Sequence, residues 1–133
     1  MNPTLVAATL SLVAYLETNN GTLTAHPTIQ NPASIHFGTA AVGRWGLMPN
    51  TLKSLGFSKH QEELAAKKLA RITLHNTRGC KVVAAVILWE QGHNIKNVTA
   101  KHWERGNAKQ RLAKVTKEFK RFKGSKAYGK RFY

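Results

Sequence analysis

The stretch Cys80-Lys81-Val82-Val83-Ala84-Ala85-Val86-Ile87-Leu88-Trp89-Glu90-Gln91-Gly92 decides the fold, because Val82 to Trp89 carries no charged or hydrogen-bonding aliphatic side chain on any face. A run that short and that apolar is either a buried strand or a buried helix, and periodicity alone does not separate the two. Its surroundings do. The neighbouring segments repeat apolar residues at helical spacing, and Gly92 stands where a helix C-cap belongs. The reading is a central buried helix from Cys80 to Gln91, and the fold class is all-α.

Working outward, Leu112, Val115, Phe119 and Phe122 recur at spacings of three and four from Ala108 onward, which gives a narrow apolar seam between faces dense in Lys and Arg. Gly124 breaks that helix, and Ser125 to Tyr133 forms a last turn or two. Thr99 caps a short helix carrying Trp103. Upstream, Ser58 and Gln61 make a capping-box pattern that opens a long helix to about Asn76, with Ala65, Leu69 and Ile72 as its inner stripe and Gly79 beyond its end. Pro49-Asn50-Thr51 starts a short helix to Leu55, closed by Gly56. The first helix, Pro3 to Glu17, places Leu5, Ala8, Leu12 and Leu16 on one stripe and stops at Asn19-Asn20-Gly21. Residues 18 to 45 read as loop, with Pro27, Pro32, Gly38 and Gly43 among small polar residues. A loop of that length in a compact domain is often functional.

A chain of 133 residues is expected to be a single domain, 1–133, large enough for one core without staples. Charge is the outlier. Lys and Arg number 21 against 6 acidic residues, a formal +15, which favours polyanionic partners such as nucleic acid, anionic lipid head groups or an acidic cell wall. Between Lys101 and Arg131 there are 12 basic residues and two Glu, so the positive charge concentrates in the basic C-terminal helical segment, about 108–133. Cys80 is the lone cysteine, which excludes an internal disulfide and a thiolate metal cluster; it reads as a small buried hydrophobe. No signal peptide is expected, since the start lacks a basic n-region and Tyr15-Leu16-Glu17 is a poor cleavage site. No run approaches the roughly 20 apolar residues of a membrane span. The six His show no zincin spacing, and neither metal nor cofactor is expected.

All six acids are Glu, namely Glu17, Glu62, Glu63, Glu90, Glu104 and Glu118, so acid–base chemistry has few candidates. A glycosidic oxygen leaves poorly until protonated, and a carboxylic acid sheltered by apolar neighbours can supply the proton. Glu17, after Val13-Ala14-Tyr15-Leu16 and ahead of the long loop, is either such an acid, partly desolvated, or an exposed residue at a fraying helix end. Glu62 and Glu63 sit in a first helical turn, where acids favour the helix dipole, and read as structural. Glu104 and Glu118, among Lys and Arg, read as solvated ion pairs. Glu90 ends the apolar run and is expected to be partly buried. His26 and His36 either touch a ligand or hold the loop, and Trp45 and Trp89 are either sugar platforms or core.

Taken in order, Glu17-Thr18, then Gly43-Arg44-Trp45-Gly46-Leu47-Met48-Pro49-Asn50-Thr51, then Trp89-Glu90-Gln91-Gly92, and last Tyr128 in Ala127-Tyr128-Gly129-Lys130-Arg131-Phe132, resemble the lytic transglycosylase and goose-type lysozyme superfamily, in its phage-type variants. The Gly-Leu-Met segment is the most specific piece. The resemblance implies a small lysozyme-like helical domain with a long loop over a substrate cleft. It implies that Glu17 is the single catalytic carboxyl, protonating the β-1,4 bond between N-acetylmuramic acid and N-acetylglucosamine of peptidoglycan. The same group would then deprotonate the muramic acid 6-hydroxyl, which attacks C1 to give a 1,6-anhydro end without added water. Thr39, Trp45, Gly46, Leu47, Met48, Trp89, Glu90, Gln91 and Tyr128 would line the site. It further implies a bacteriolytic enzyme that rides in a phage virion beside other virion proteins, or acts as an endolysin from the host cytoplasm, and is delivered to the periplasm and wall.

There are departures. Pro49 replaces the Gln that follows Gly-Leu-Met. Ala40, with Thr39 beside it, stands near an expected Ser. Trp89-Glu90 replaces Tyr-Asn. Plain inverting hydrolysis would need a second carboxylate about 6.5–9.5 Å from the first, and Glu90 is either that group or a structural acid. The competing expectations are a nucleic-acid-binding protein, using the basic C-terminal segment with Phe119, Phe122, Tyr128 and Phe132, and a virion structural component.

Overall fold

In a computed structural model of the chain, the described residues are 2–22, 26–34, 37–77, 79–90 and 108–122. They form five α-helices and one short 3-10 turn: α1 (Pro3–Thr18), α2 (Pro49–Leu55), the 3-10 turn (Lys59–Gln61), α3 (Glu62–Asn76), α4 (Val82–Glu90) and α5 (Ala108–Arg121). No β-strand occurs among the described residues; one isolated antiparallel bridge joins Val42 to Leu47. The all-α class is therefore as expected. The short helix around Trp103, the C-cap at Gly92 and the turns after Gly124 lie outside the described residues.

The chain packs as two compact units, Met1–Val13 with Leu69–Tyr133, and Ala14–Lys68. In the first unit, α4 is buried from Val82 through Trp89 without interruption. Eight consecutive buried residues leave no solvated face, which is why the sequence shows no amphipathic period there. Helix α5 packs against α4. Among its residues whose burial is described, Val115 and Phe119, one turn apart, are buried, and Phe119 stacks on Phe122 with ring centroids 6.5 Å apart. Lys114, Lys117, Lys120 and Arg121 occupy its exposed side. The connection into α4 is tight: Gly79 and Cys80 both adopt left-handed conformations, and the Thr77 hydroxyl oxygen accepts the Lys81 N–H at 2.7 Å. Cys80 is consequently half-buried rather than the buried hydrophobe expected, because the turn carries it out to the margin of the core.

The first turn of α1 is capped by Asn2, whose Oδ1 accepts the Thr4 N–H at 2.8 Å, with Pro3 at a position that needs no donor. Leu5, Ala8 and Leu12 are buried as expected, whereas Leu16 is half-buried and Val13 and Ala14 complete the inner face. The helix stops where Asn19 and Asn20 turn left-handed and the Asn20 N–H reaches back to the Ala14 carbonyl at 3.0 Å.

In the second unit, Ala14, Leu47, Leu52, Leu55, Ala65 and Ala66 are buried. Helix α2 begins at Pro49 and ends at Gly56, whose φ of 88° lets its N–H close on Lys53. The Ser58–Gln61 pair forms the capping box expected, with Gln61 Oε1 accepting the Ser58 N–H at 3.1 Å. It opens a 3-10 turn first, and the α-helix proper starts at Glu62. Of the expected α3 stripe, Ala65 and Leu69 are buried and Ile72 is half-buried.

Candidate active site at the Gly43–Gly46 turn

The long loop narrows to a four-residue tip, Gly43-Arg44-Trp45-Gly46, held between Val42 and Leu47. Those two residues exchange both main-chain hydrogen bonds, at 2.7 and 3.1 Å. The Gly46 N–H closes the tip on the Gly43 carbonyl at 3.3 Å. Both glycines take left-handed φ, 71° at Gly43 and 60° at Gly46, a region in which other L residues pay about 1–2 kcal/mol. The glycines at these two positions are thus a backbone requirement.

Each residue of the tip is met by a side chain from elsewhere in the same unit. The Gly43 carbonyl takes a hydrogen bond from His26 at 2.7 Å; a carbonyl only accepts, so Nε2 carries the proton there. The Arg44 carbonyl receives the Thr18 hydroxyl at 2.5 Å. The Trp45 N–H donates to Glu62 Oε1 at 3.3 Å. Glu17 lies on Gly46: a β-carbon at that position would stand 3.1 Å from Glu17 Oε2. Gly43 is under the same kind of cover, since a β-carbon there would collide with the Glu62 carboxylate. The two carboxylates therefore flank the tip, Glu62 at its first glycine and Glu17 at its last.

Thr18 is fully buried and is the joint between α1 and the tip. Its hydroxyl oxygen also accepts the Gly21 N–H at 2.9 Å and lies 3.2 Å from the Ala14 carbonyl. The side chain of Arg44 runs beside Gly21 and sets its guanidinium 5.7 Å from the Trp45 ring centroid, a cation–π distance.

The expected site residues divide accordingly. Glu17 lies against Gly46, whose neighbours along the chain are Trp45 and the Leu47-Met48 step. Glu17 is exposed, not partly desolvated, because the buried face of α1 reaches Ala14 and Thr18 and leaves residue 17 on the open side of the last turn. Leu47 is corrected from a sugar contact to a core residue, 3% exposed; its main chain makes the bridge while its side chain packs inward. Met48 is half-buried and N-caps α2 in an extended conformation. That explains Pro49: at the first helical position its missing N–H costs nothing. Thr39 serves the loop, its carbonyl accepting the Ile29 N–H at 2.8 Å. Trp89 and Glu90 belong to the first unit, at the end of α4. Trp89 is core rather than a sugar platform, 8% exposed, since the helix it ends is covered on all sides. Glu90 is half-buried as expected, with Oε1 shielded from solvent. Gln91, Tyr128 and His36 lie outside the described residues.

Sequence alone does not mark Thr18, His26 and Glu62 as site residues. Thr18 is only the second member of the Glu17-Thr18 pair, and a loop His either touches a ligand or holds the loop; His26 holds the loop, through the Gly43 carbonyl. Glu62 gave no signal beyond its place in a first helical turn, because its partners lie 17 and 19 residues away. Among the described residues, no group of three or more His, Cys, Asp or Glu could hold a metal ion, and no helix is long and apolar enough to cross a membrane. Comparison of this chain with protein-family models, with curated proteins and with solved structures returns no match.

Proposed function

We propose that this protein cleaves the glycan strands of bacterial peptidoglycan as a lytic transglycosylase, with Glu17 as its one catalytic carboxyl. The observation that carries the reading is the contact of the Glu17 carboxyl with Gly46, in a glycine turn that leads directly into Leu47-Met48. The Glu17 side chain at a helix end and the glycine turn beside it together make a rim on which a sugar chain can lie with its glycosidic oxygen at the acid. Glu17 gives its proton to that oxygen and the C1–O bond breaks. The muramic acid 6-hydroxyl then bonds to C1 and returns its proton to Glu17, so no water is consumed and the carboxyl is regenerated. In the free protein the carboxyl is open to solvent, so the glycan itself has to displace that water on binding. The reading extends to phage entry or host lysis, with delivery to the wall by the virion or by the lysis machinery.

A second reading draws on α5. Its exposed Lys114 and Lys117 and a formal net charge of +15 suit a nucleic-acid ligand.

One comparison separates the two. Wild type and Glu17→Gln are incubated with purified sacculi and the released fragments are weighed by mass spectrometry. The transglycosylase reading expects anhydro-ended muropeptides from wild type and a loss of at least about 100-fold in the variant. Fragments that have gained water would instead identify a lysozyme. Two inert proteins that hold DNA with a steep salt dependence would transfer the function to α5.

A further inference from the structure

We infer that Glu62 is a positioning residue that sets the Gly43–Gly46 turn under Glu17. The carboxylate stands in the first turn of α3, half-buried, and both of its ends are engaged by the same tip: Oε1 accepts the Trp45 N–H at 3.3 Å and Oε2 abuts Gly43. Thr18 holds the adjacent Arg44 carbonyl from the α1 side at 2.5 Å. The tip is therefore gripped from two helices, and the residue that follows the gripped pair is Gly46, on which Glu17 rests. Glu63, next along the chain, is a contrast: it is exposed and pairs with Lys67 four residues on, at 3.5 Å. Gly43 also fits the role, because any β-carbon at residue 43 would occupy the space the carboxylate takes.

The ordinary role of an acid at this place is to complement the helix dipole, and that role needs negative charge but not reach. The clamp needs reach and an acceptor oxygen but not charge. Two conservative substitutions separate them. Glu62→Gln keeps the length and one carbonyl oxygen for the Trp45 N–H and removes the charge. Glu62→Asp keeps the charge and withdraws the oxygen by one methylene.

The activity arm rests on the transglycosylase reading, and an amide-exchange arm does not. On sacculi, Glu62→Gln is expected to keep kcat within about twofold of wild type, and Glu62→Asp to lose about tenfold in kcat with KM little changed, as misplacement of a catalytic group predicts. Hydrogen exchange at the Trp45 amide is expected to be about tenfold faster in Glu62→Asp and near wild type in Glu62→Gln. The opposite order, with Asp behaving as wild type and Gln impaired, or an unchanged Trp45 exchange rate in Glu62→Asp, overturns the inference. If wild type releases no muropeptides, the transglycosylase reading fails by itself and the exchange arm alone decides whether Glu62 clamps the turn.

Discussion

A single hydroxyl at Thr18 satisfies the Arg44 carbonyl and the Gly21 N–H, and it does so inside the core. Replacing it with Val keeps the shape and strands both main-chain groups, one of them a donor whose unmade bond costs about 1–3 kcal/mol. Thr18→Val is accordingly expected to lower the unfolding free energy by about 1–3 kcal/mol in urea titration and, under the proposed transglycosylase function, to lower glycan cleavage further than that loss alone explains; a variant as stable as wild type would remove Thr18 from the joint. At this scale the sequence was legible where a residue type answers a backbone demand. Gly43 and Gly46 are the type that a left-handed turn requires, and Glu17-Thr18 stood out as a pair at a helix end. The engagement of Glu62 was not legible, because a carboxylate in a first helical turn has a sufficient local explanation and the tip it grips is remote in sequence. The exposure of Glu17 was not legible either: spacing gives the stripe a helix buries, not how far along its last turn the cover continues.

Helix α4 is the element on which the first unit depends. Leu88 is 1% exposed within it, and Leu88→Ala is expected to cost about 2–5 kcal/mol by the loss of buried methyl groups and the cavity they leave, measured as a shift of the urea midpoint at constant slope. A cost under about 1 kcal/mol would mean the surroundings collapse freely onto the gap. By contrast the Glu118–Arg121 pair, at 3.8 Å with Arg121 two-thirds exposed, is expected to contribute little. Element types were read correctly for α1 to α4, since Gly56, Gly79 and the Asn19-Asn20-Gly21 turn stop helices by a mechanism the residue types carry. Boundaries moved where tertiary geometry competes with capping: Ser58 starts a 3-10 turn before α3, and α4 begins two residues later than Cys80, because the left-handed Gly79-Cys80 turn precedes it.

For the whole molecule, the dominant long-range term is like-charge repulsion. A formal +15 on 133 residues opposes compaction, and added salt screens it over a Debye length of about 10 Å at 0.1 M. The melting temperature is expected to rise on going from about 20 to 200 mM NaCl, by roughly 3–5 °C if screening recovers on the order of 1 kcal/mol. A fall in melting temperature with salt would show that surface ion pairs outweigh the repulsion. The covering of α4 has a further consequence for handling the protein. Val82 to Trp89 combines β-branched residues, no charge and no proline, which is the composition of a segment that self-associates as stacked strands once uncovered. The surface Lys and Arg discourage aggregation only while that segment stays inside. Heating past the transition therefore leads to precipitate rather than to refolding, and a chain cut short before α5 collects in the insoluble fraction of the expressing cell.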